Sequence, residues 1–538
     1  MNNKLKYLSL LILPVLLFYS ACLLKISHGP YYLNIEDPSY VYLINSLNVS
    51  LRFPVGHFDH PGTTVQIIGA AVVRLYHWIS SSSPDLIRDV LSRPEEYLSM
   101  INLIFILIGG LILFLLGLLT FKLSGNILYS LLIQLSPFVS LQVFYGLKIV
   151  ASDNILITIS LCFTGILIYY LFKIKADAKS HLPFIIAFAL ICALGLATKI
   201  SFFPMLLIPL ILLRGTRSKL LFLLFVLVSF FVFVFPAISN YDKFIEWVWM
   251  LILFNGSYGH GDPSFVDIPK SFTSLKSIFW GDPVFTVSYF LSVFTLVTSY
   301  FMSKKEKQLS EKQIKEFKLL LSIVLAMTIQ IIIVSKQYRQ HYMIPSIILS
   351  VFTISLCIIL LSSFFKTIES QKIYLSIIIV VSVISFNMVS ASYKTNLILR
   401  EEAFKVNRYA KEHSSNALLI SSFCSANKEF SLAFGVSYSG TKIKLYKSIL
   451  STLQHENIFY IPWLDEFFSL GTKENVLKSL RENKRIIFQT NQENINKFVQ
   501  TLESTYGMKI VSRKLLFSNS IKEEVYEIIT ESQDGEMK

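Results

Sequence analysis

The sequence is poor in cysteine and has no cysteine pair at metal-ligand or redox spacing. Its five cysteines, Cys22, Cys162, Cys192, Cys357 and Cys424, form no Cys-x-x-Cys, so neither a disulfide framework nor a cysteine zinc site is implied. No Walker-type glycine-lysine spacing occurs, which excludes a nucleotide P-loop. No internal repeat is visible, unlike the paired halves common in secondary transporters. The C-terminal region lacks any long low-complexity stretch. No paired carboxylate set demands a divalent cation.

What is abundant is apolar sequence. Of 538 residues, 53% are hydrophobic, above the roughly half that soluble chains carry. The excess lies in blocks of roughly 16–22 residues, the length that crosses a hydrocarbon core. About eleven such runs are legible: 7–24, 99–119, 127–145, 154–172, 182–198, 201–213, 220–238, 285–302, 319–334, 343–364 and 373–392. The sixth carries Pro204 and Pro209, which predicts a kink or break. The first, Tyr7–Leu24 after Lys4 and Lys6, outruns the core of a cleaved signal peptide. It reads as a retained membrane helix.

The formal net charge is +14. Basic residues cluster in short loops between apolar runs, the pattern that orients membrane proteins rather than one that binds nucleic acid. With the N-terminus in the cytoplasm, the cytoplasmic pieces hold about 17 Lys/Arg in about 52 residues, against about 12 in roughly 138 on the other side. The loop from Ser303 to Lys318 supplies Lys304, Lys305, Lys307, Lys312, Lys315 and Lys318. Residues 25–98, 239–284 and 393–538 are then extracytoplasmic. Thr63–Ile79, with Gln66, Arg74 and His77, reads as an interfacial helix. Phe244–Phe254 reads as an interfacial or re-entrant piece.

The tail changes character. Leu418–Ser422, Ile458–Ile461 and Ile486–Phe488 read as short buried strands, and Lys473–Glu482 and Gln492–Ser504 as amphipathic helices. The expected fold is mainly α: a polytopic membrane domain over 1–392, then a small extracytoplasmic α/β domain over 393–538.

Polar groups gathered at one membrane face mark candidate chemistry. The first outer loop holds Asn34-Ile35-Glu36-Asp37-Pro38 and Phe58-Asp59-His60-Pro61-Gly62. A carboxylate there can act as a general base, while Asp-Pro alone also suits a helix start. Lys148 and Asp153 flank the fourth run, Lys199 sits between the fifth and sixth, and Lys336, Arg339, His341 and Tyr342 follow the ninth. Such cations can neutralise a lipid phosphate, or simply snorkel to the interface. The glycine-rich loop with Tyr258 and His260 lets backbone approach a ligand, or is an ordinary turn.

These pieces, in this order, resemble the GT-C superfamily of membrane glycosyltransferases, in its protein mannosyltransferase and aminoarabinose transferase branch. The resemblance covers roughly 1–360. It rests on Glu36-Asp37 with Tyr40, on His60-Pro61-Gly62, on Asp153, on Gly195-Leu196-Ala197-Thr198-Lys199, and on His341-Tyr342-Met343-Ile344-Pro345. It implies a bacterial inner-membrane enzyme with a polyprenyl-phosphate sugar donor and a glycan, lipid or protein acceptor. The implied reaction is a single inverting displacement with Asp37 or Glu36 as base. Lys199, Arg339 and Lys336 would stabilise the leaving phosphate, and His60 and Asp153 would position loop and substrate. No cofactor is required by the resemblance, although distant relatives use a divalent cation. A flippase or transporter of a lipid-linked substrate, and an O-antigen polymerase or ligase, are the rival readings.

Overall fold

The computed structural model describes residues 3–33, 39–59, 61–174, 182–254, 261–264, 268–305, 310–365, 367, 369–422, 427–453, 458–462, 465–469, 473–491 and 494–532. Eight helices among them are long and apolar enough to cross a membrane: Lys4–His28, Pro94–Ser124, Ser152–Lys173, Thr216–Phe233, Pro283–Lys304, Glu311–Lys336, Gln340–Phe364 and Ser370–His413. Leu182–Thr198 and Ile200–Leu212 are shorter apolar helices. The chain is a multi-pass membrane protein.

Two expected spans are remodelled by identifiable residues. The run 127–145 is not one helix. It divides into Ile127–Gln134, a 3-10 turn Ser136–Phe138 and Leu141–Leu147. Pro137 has no backbone N–H to continue the first helix. Ser140 then caps the second, its Oγ accepting from Gln142 N at 3.2 Å. The run at 201–213 begins as a 3-10 helix, Ile200–Leu206, with Pro204 inside it, and becomes α-helical only over Leu207–Leu212.

Thr63–Ser80 is helical and exposes Leu75, Trp78 and Ile79, an apolar edge suited to an interface. Tyr241–Leu253 is a helix with no buried residue.

The chain folds as two compact units that do not follow chain order. One comprises Met1–Leu24, Phe58–Ile67 and Asn102–Ser392. The other comprises Lys25–His57, Ile68–Ile101 and Tyr393–Lys538, so most of residues 25–98 fold with the tail.

The second unit contains a six-stranded sheet in the order β3-β2-β1-β4-β6-β5. The strands are β1 (Leu418–Ser422), β2 (Ile458–Ile461), β3 (Glu466–Ser469), β4 (Arg485–Asn491), β5 (Met508–Ser518) and β6 (Glu523–Ser532). β1 runs parallel to β2 and β4, and the remaining pairs are antiparallel. Parallel neighbours need helical crossovers. Ile495–Tyr506 covers one face, with Phe498 stacked on Phe488 at 3.7 Å between ring centroids. β5 and β6 form an edge hairpin that sequence patterning did not mark. It is rich in charge, with Lys514 opposite Glu527 and Lys509 opposite Glu531. Cross-strand pairs of opposite sign stabilise such a hairpin without an apolar alternation.

Candidate functional site

The first unit gathers its polar groups where several helices end. Leu182–Thr198 stops at Lys199, whose backbone is extended (φ −159°, ψ 129°). The chain then doubles back so closely that a Cβ on Gly195 would lie 2.3 Å from the Phe202 ring. Only glycine fits that approach. The turn directs the Lys199 side chain inward, where it is 1% exposed.

Asp153 opens the helix Ser152–Lys173 and is also buried. Lys199 Nζ donates to Asp153 Oδ1 at 2.8 Å. Attraction between two opposite charges removed from water offsets their desolvation only when the geometry is this close. The Lys199 ammonium also lies 5.1 Å from the centroid of the Tyr342 ring, within cation–π range.

Tyr342 belongs to a 3-10 turn, Gln340–Met343, ahead of the helix Ile344–Phe364, whose Pro345 suits a first turn. Gln330 ties this turn to the lysine turn. Its Nε2 donates to Tyr342 O at 2.7 Å and to Ser201 O at 3.1 Å, and its Oε1 accepts from Ser346. His341 packs edge-on against Tyr342 at 4.6 Å and lies within electrostatic reach of Lys199, Asp153 and Arg339. Arg339 is exposed.

Lys148 follows the short helix Leu141–Leu147 and is 5% exposed. Its ammonium lies 4.7 Å from the Tyr145 ring centroid. The turn that carries it is fastened to the start of the Asp153 helix, since Asn154 Nδ2 donates to Leu147 O at 3.3 Å. Asn102 lies against the same amide at 3.1 Å.

Gly62 and the helix start that follows it reach the same turn. Gly62 N donates to Thr198 O at 3.3 Å, Thr63 Oγ1 donates to Ala197 O at 3.2 Å, and the Thr64 and Thr198 hydroxyls bond at 2.7 Å. Gly62 has φ +61°, a conformation that favours glycine. Asp59 is half-buried.

The structure therefore brings together Asp153, Lys199, His341, Tyr342 and Arg339, and fixes Lys148 on a turn bonded to the same elements. Lys336 is engaged elsewhere: its Nζ donates to Ile252 O at 2.6 Å. Glu36, Asp37, His60, Tyr258 and His260 lie outside the described residues. Gln330 was not marked by the sequence, and Thr198 entered only within the Gly195–Lys199 motif. A single amide within the apolar stretch of Glu311–Lys336 was the one available signal for Gln330.

Among the described residues, three cations, Lys148, Lys199 and Arg339, accompany the Asp153 carboxylate. Lys148 and Lys199 are buried, and buried, fixed cations can bind an anion and stabilise charge that develops on it.

No family model and no curated protein matches the chain. Among solved structures, it is similar to ArnT from Cupriavidus metallidurans bound to undecaprenyl phosphate and to the same protein in the apo state. Each superposition has a TM-score of 0.49 at 10% sequence identity and covers 95% of this chain and 97% of that chain.

Proposed function

We propose that this chain is a membrane glycosyltransferase that moves a sugar from a polyprenyl-phosphate carrier to an acceptor hydroxyl. The observation that carries the reading is the buried Asp153–Lys199 pair, with Tyr342, His341 and Arg339 around it, on elements bonded to Gly62 and Thr63. The motif order described above supports it.

The membrane side follows from helix length and charge. Glu311–Lys336 has 26 residues, about 39 Å at 1.5 Å per residue. Its start carries Lys312 and Lys315 and follows the lysine-rich loop, while its end leads into the Arg339–Tyr342 turn. By the charge rule the lysine-rich end suits the cytoplasm, which supports a site at the opposite face of the membrane. A lipid-phosphate donor suits that face because no nucleotide is needed there.

The proposed reaction is one displacement. Asp37 or Glu36 accepts the proton of the acceptor hydroxyl as its oxygen bonds to the anomeric carbon. The bond from that carbon to the phosphate oxygen breaks, and the lipid phosphate leaves as an anion. Lys199 and Arg339 stabilise the charge gathering on that oxygen. Lys199 is effective because it is already desolvated and oriented by Asp153, and no water need reorganise around it. A leaving group that is a stable anion needs no strong general acid.

The test is a membrane assay with labelled polyprenyl-phosphate hexose. Covalent transfer of label to an acceptor by the wild type, lost in Lys199→Met, supports the reading. Translocation of the labelled lipid without a covalent product overturns it in favour of a flippase.

A further inference from the structure

The first unit carries an apolar groove of about 670 Å³ between three of its helices, Pro94–Ser124, Ser152–Lys173 and Leu182–Thr198. No lining residue is charged. Its volume is in the range of small-molecule sites.

Helical spacing builds the walls. Ile112, Leu116 and Leu119 line it from the first helix, and Leu161, Gly165 and Tyr169 from the second. Residues three or four apart share one helix face. Phe184 and Ala187 close it from the third helix. Leu116, Leu161 and Phe184 are buried, whereas Tyr169 is exposed at the rim. A Cβ on Gly165 would lie 3.6 Å from Leu116 Cδ1 and 3.7 Å from Leu119 Cδ2, ordinary contact distances. No close backbone approach therefore demands glycine there, and glycine is unfavourable in a helix interior. Its effect is to leave room in the groove.

The groove belongs to one leaflet. From Leu161 to Ile174 the chain rises about 20 Å at 1.5 Å per residue, against about 15 Å for half of a hydrocarbon core about 30 Å thick. Asp153 stands at the other end of this helix, about 24 Å from Tyr169 along its axis, so the groove is separate from the Asp153–Lys199 site.

Its polar end carries cations. Lys122 lies three residues beyond Leu119, and Lys173 four beyond Tyr169, so each shares a helix face with the lining. Both lysines are exposed, and neither forms an ion pair with a described residue. Lys315 is committed to the helix end, where its Nζ donates to Leu171 O and Ile174 O.

We propose that this groove binds an anionic phospholipid, with one acyl chain between the three helices and the phosphate at Lys122 and Lys173. Basic groups at the membrane end of a cleft between spans suit an anionic headgroup. One leaflet's depth of apolar wall suits a single acyl chain. The transfer reaction plays no part in this site.

The experiment places the full chain in phosphatidylcholine nanodiscs with a small fraction of phosphatidylglycerol, or of phosphatidylcholine, bearing a diazirine in its acyl chain. After photolysis, peptide mapping compares label on residues 112–119 and 161–174 with label on Thr216–Phe233, an exposed span that reports boundary lipid. The groove-to-reference ratio should be about fivefold higher for phosphatidylglycerol, the preference that one lysine near a membrane surface confers. Lys122→Gln/Lys173→Gln should bring the two probes to parity. Gly165→Leu should fill the groove and lower its label with both. The lysine variant carries the test if Gly165→Leu does not reach the membrane. Equal ratios for the two probes in the wild type, or a preference kept by the lysine variant, overturn the proposal. Undecaprenyl phosphate at the same mole fraction as the probe should leave most of the label in place. Its displacing most of the label would assign the groove to a polyprenyl chain and overturn the proposal as well.

Discussion

Lys199 and Asp153 form a 2.8 Å ion pair across 46 positions of the chain, and both side chains are almost wholly excluded from solvent. The pair ties the turn at Lys199 to the start of the helix Ser152–Lys173. It also makes the first prediction quantitative. Removing one partner leaves the other charge buried and unpaired, which costs about 3–5 kcal/mol. Asp153→Leu alone should therefore lower the thermal unfolding midpoint strongly. The double variant Asp153→Leu/Lys199→Met should recover most of the loss, because an apolar pair of similar size replaces the charges. Thermal unfolding in detergent measures both. A double variant no more stable than the single one contradicts the ion-pair assignment.

The acid motif gives a second prediction. Asp37→Asn should abolish transfer, by about 100-fold or more for a lost general base, while the protein still inserts and folds in the membrane. Glu36→Gln should retain transfer. Activity assays on membranes with matched protein amounts decide this. Retained activity in Asp37→Asn removes Asp37 from the role, and loss in Glu36→Gln alone reassigns the role to Glu36.

Gln330 joins two turns that carry the site, through the carbonyls of Tyr342 and Ser201. Gln330→Leu leaves those carbonyls without this donor and should cost about 1–3 kcal/mol of stability. Because Gln330 would no longer hold the Tyr342 carbonyl, transfer should fall as well. The sequel to check is recovery in Gln330→Asn or Gln330→Glu: neither should match the wild type, since neither reaches both carbonyls in the same geometry.

A fourth prediction concerns acid stability in the second unit. Asp89 is fully buried, which disfavours its charge. Hydrogen bonds from Arg93, Tyr97, Ser82 and His77 outweigh that burial and hold its carboxyl well below the usual carboxylate range. A carboxylate with a depressed folded-state value contributes stability above its unfolded value, near about 3.9, and loses it as pH falls further. The wild type should therefore destabilise steeply below about pH 4, and Asp89→Asn should show a shallower slope there from a lower starting stability. Unfolding midpoints measured from neutral pH down to acid test the slope. Parallel slopes in the two proteins contradict it.

Much of this architecture is legible in the residues because charge inside apolar sequence is conspicuous. Asp153, Lys199 and the Arg339–Tyr342 turn each sit at the end of an apolar run, where an ionisable group is costly unless it is used. Hydropathy could not resolve the run 127–145, since Pro137 and the Ser140 cap break it without lowering its apolar content. The β5–β6 hairpin escaped because its stabilising pairs are charged and cross-strand, so neither strand shows alternation alone. Gln330 is uncharged, and an amide within an apolar run gives little signal until its carbonyl partners are seen. The contact of Asn45 and Asn48 with the Tyr438–Gly440 turn spans more than 390 positions for each bond. No local pattern carries such information.

The most direct measurement is the single-turnover rate of sugar transfer from labelled polyprenyl-phosphate hexose, at saturating donor, in wild type and Lys199→Met. If the Lys199 ammonium stabilises the departing lipid phosphate, the variant rate falls by about 100-fold or more while the donor still binds. A variant that transfers sugar at the wild-type rate contradicts the assignment of this site to phosphate departure.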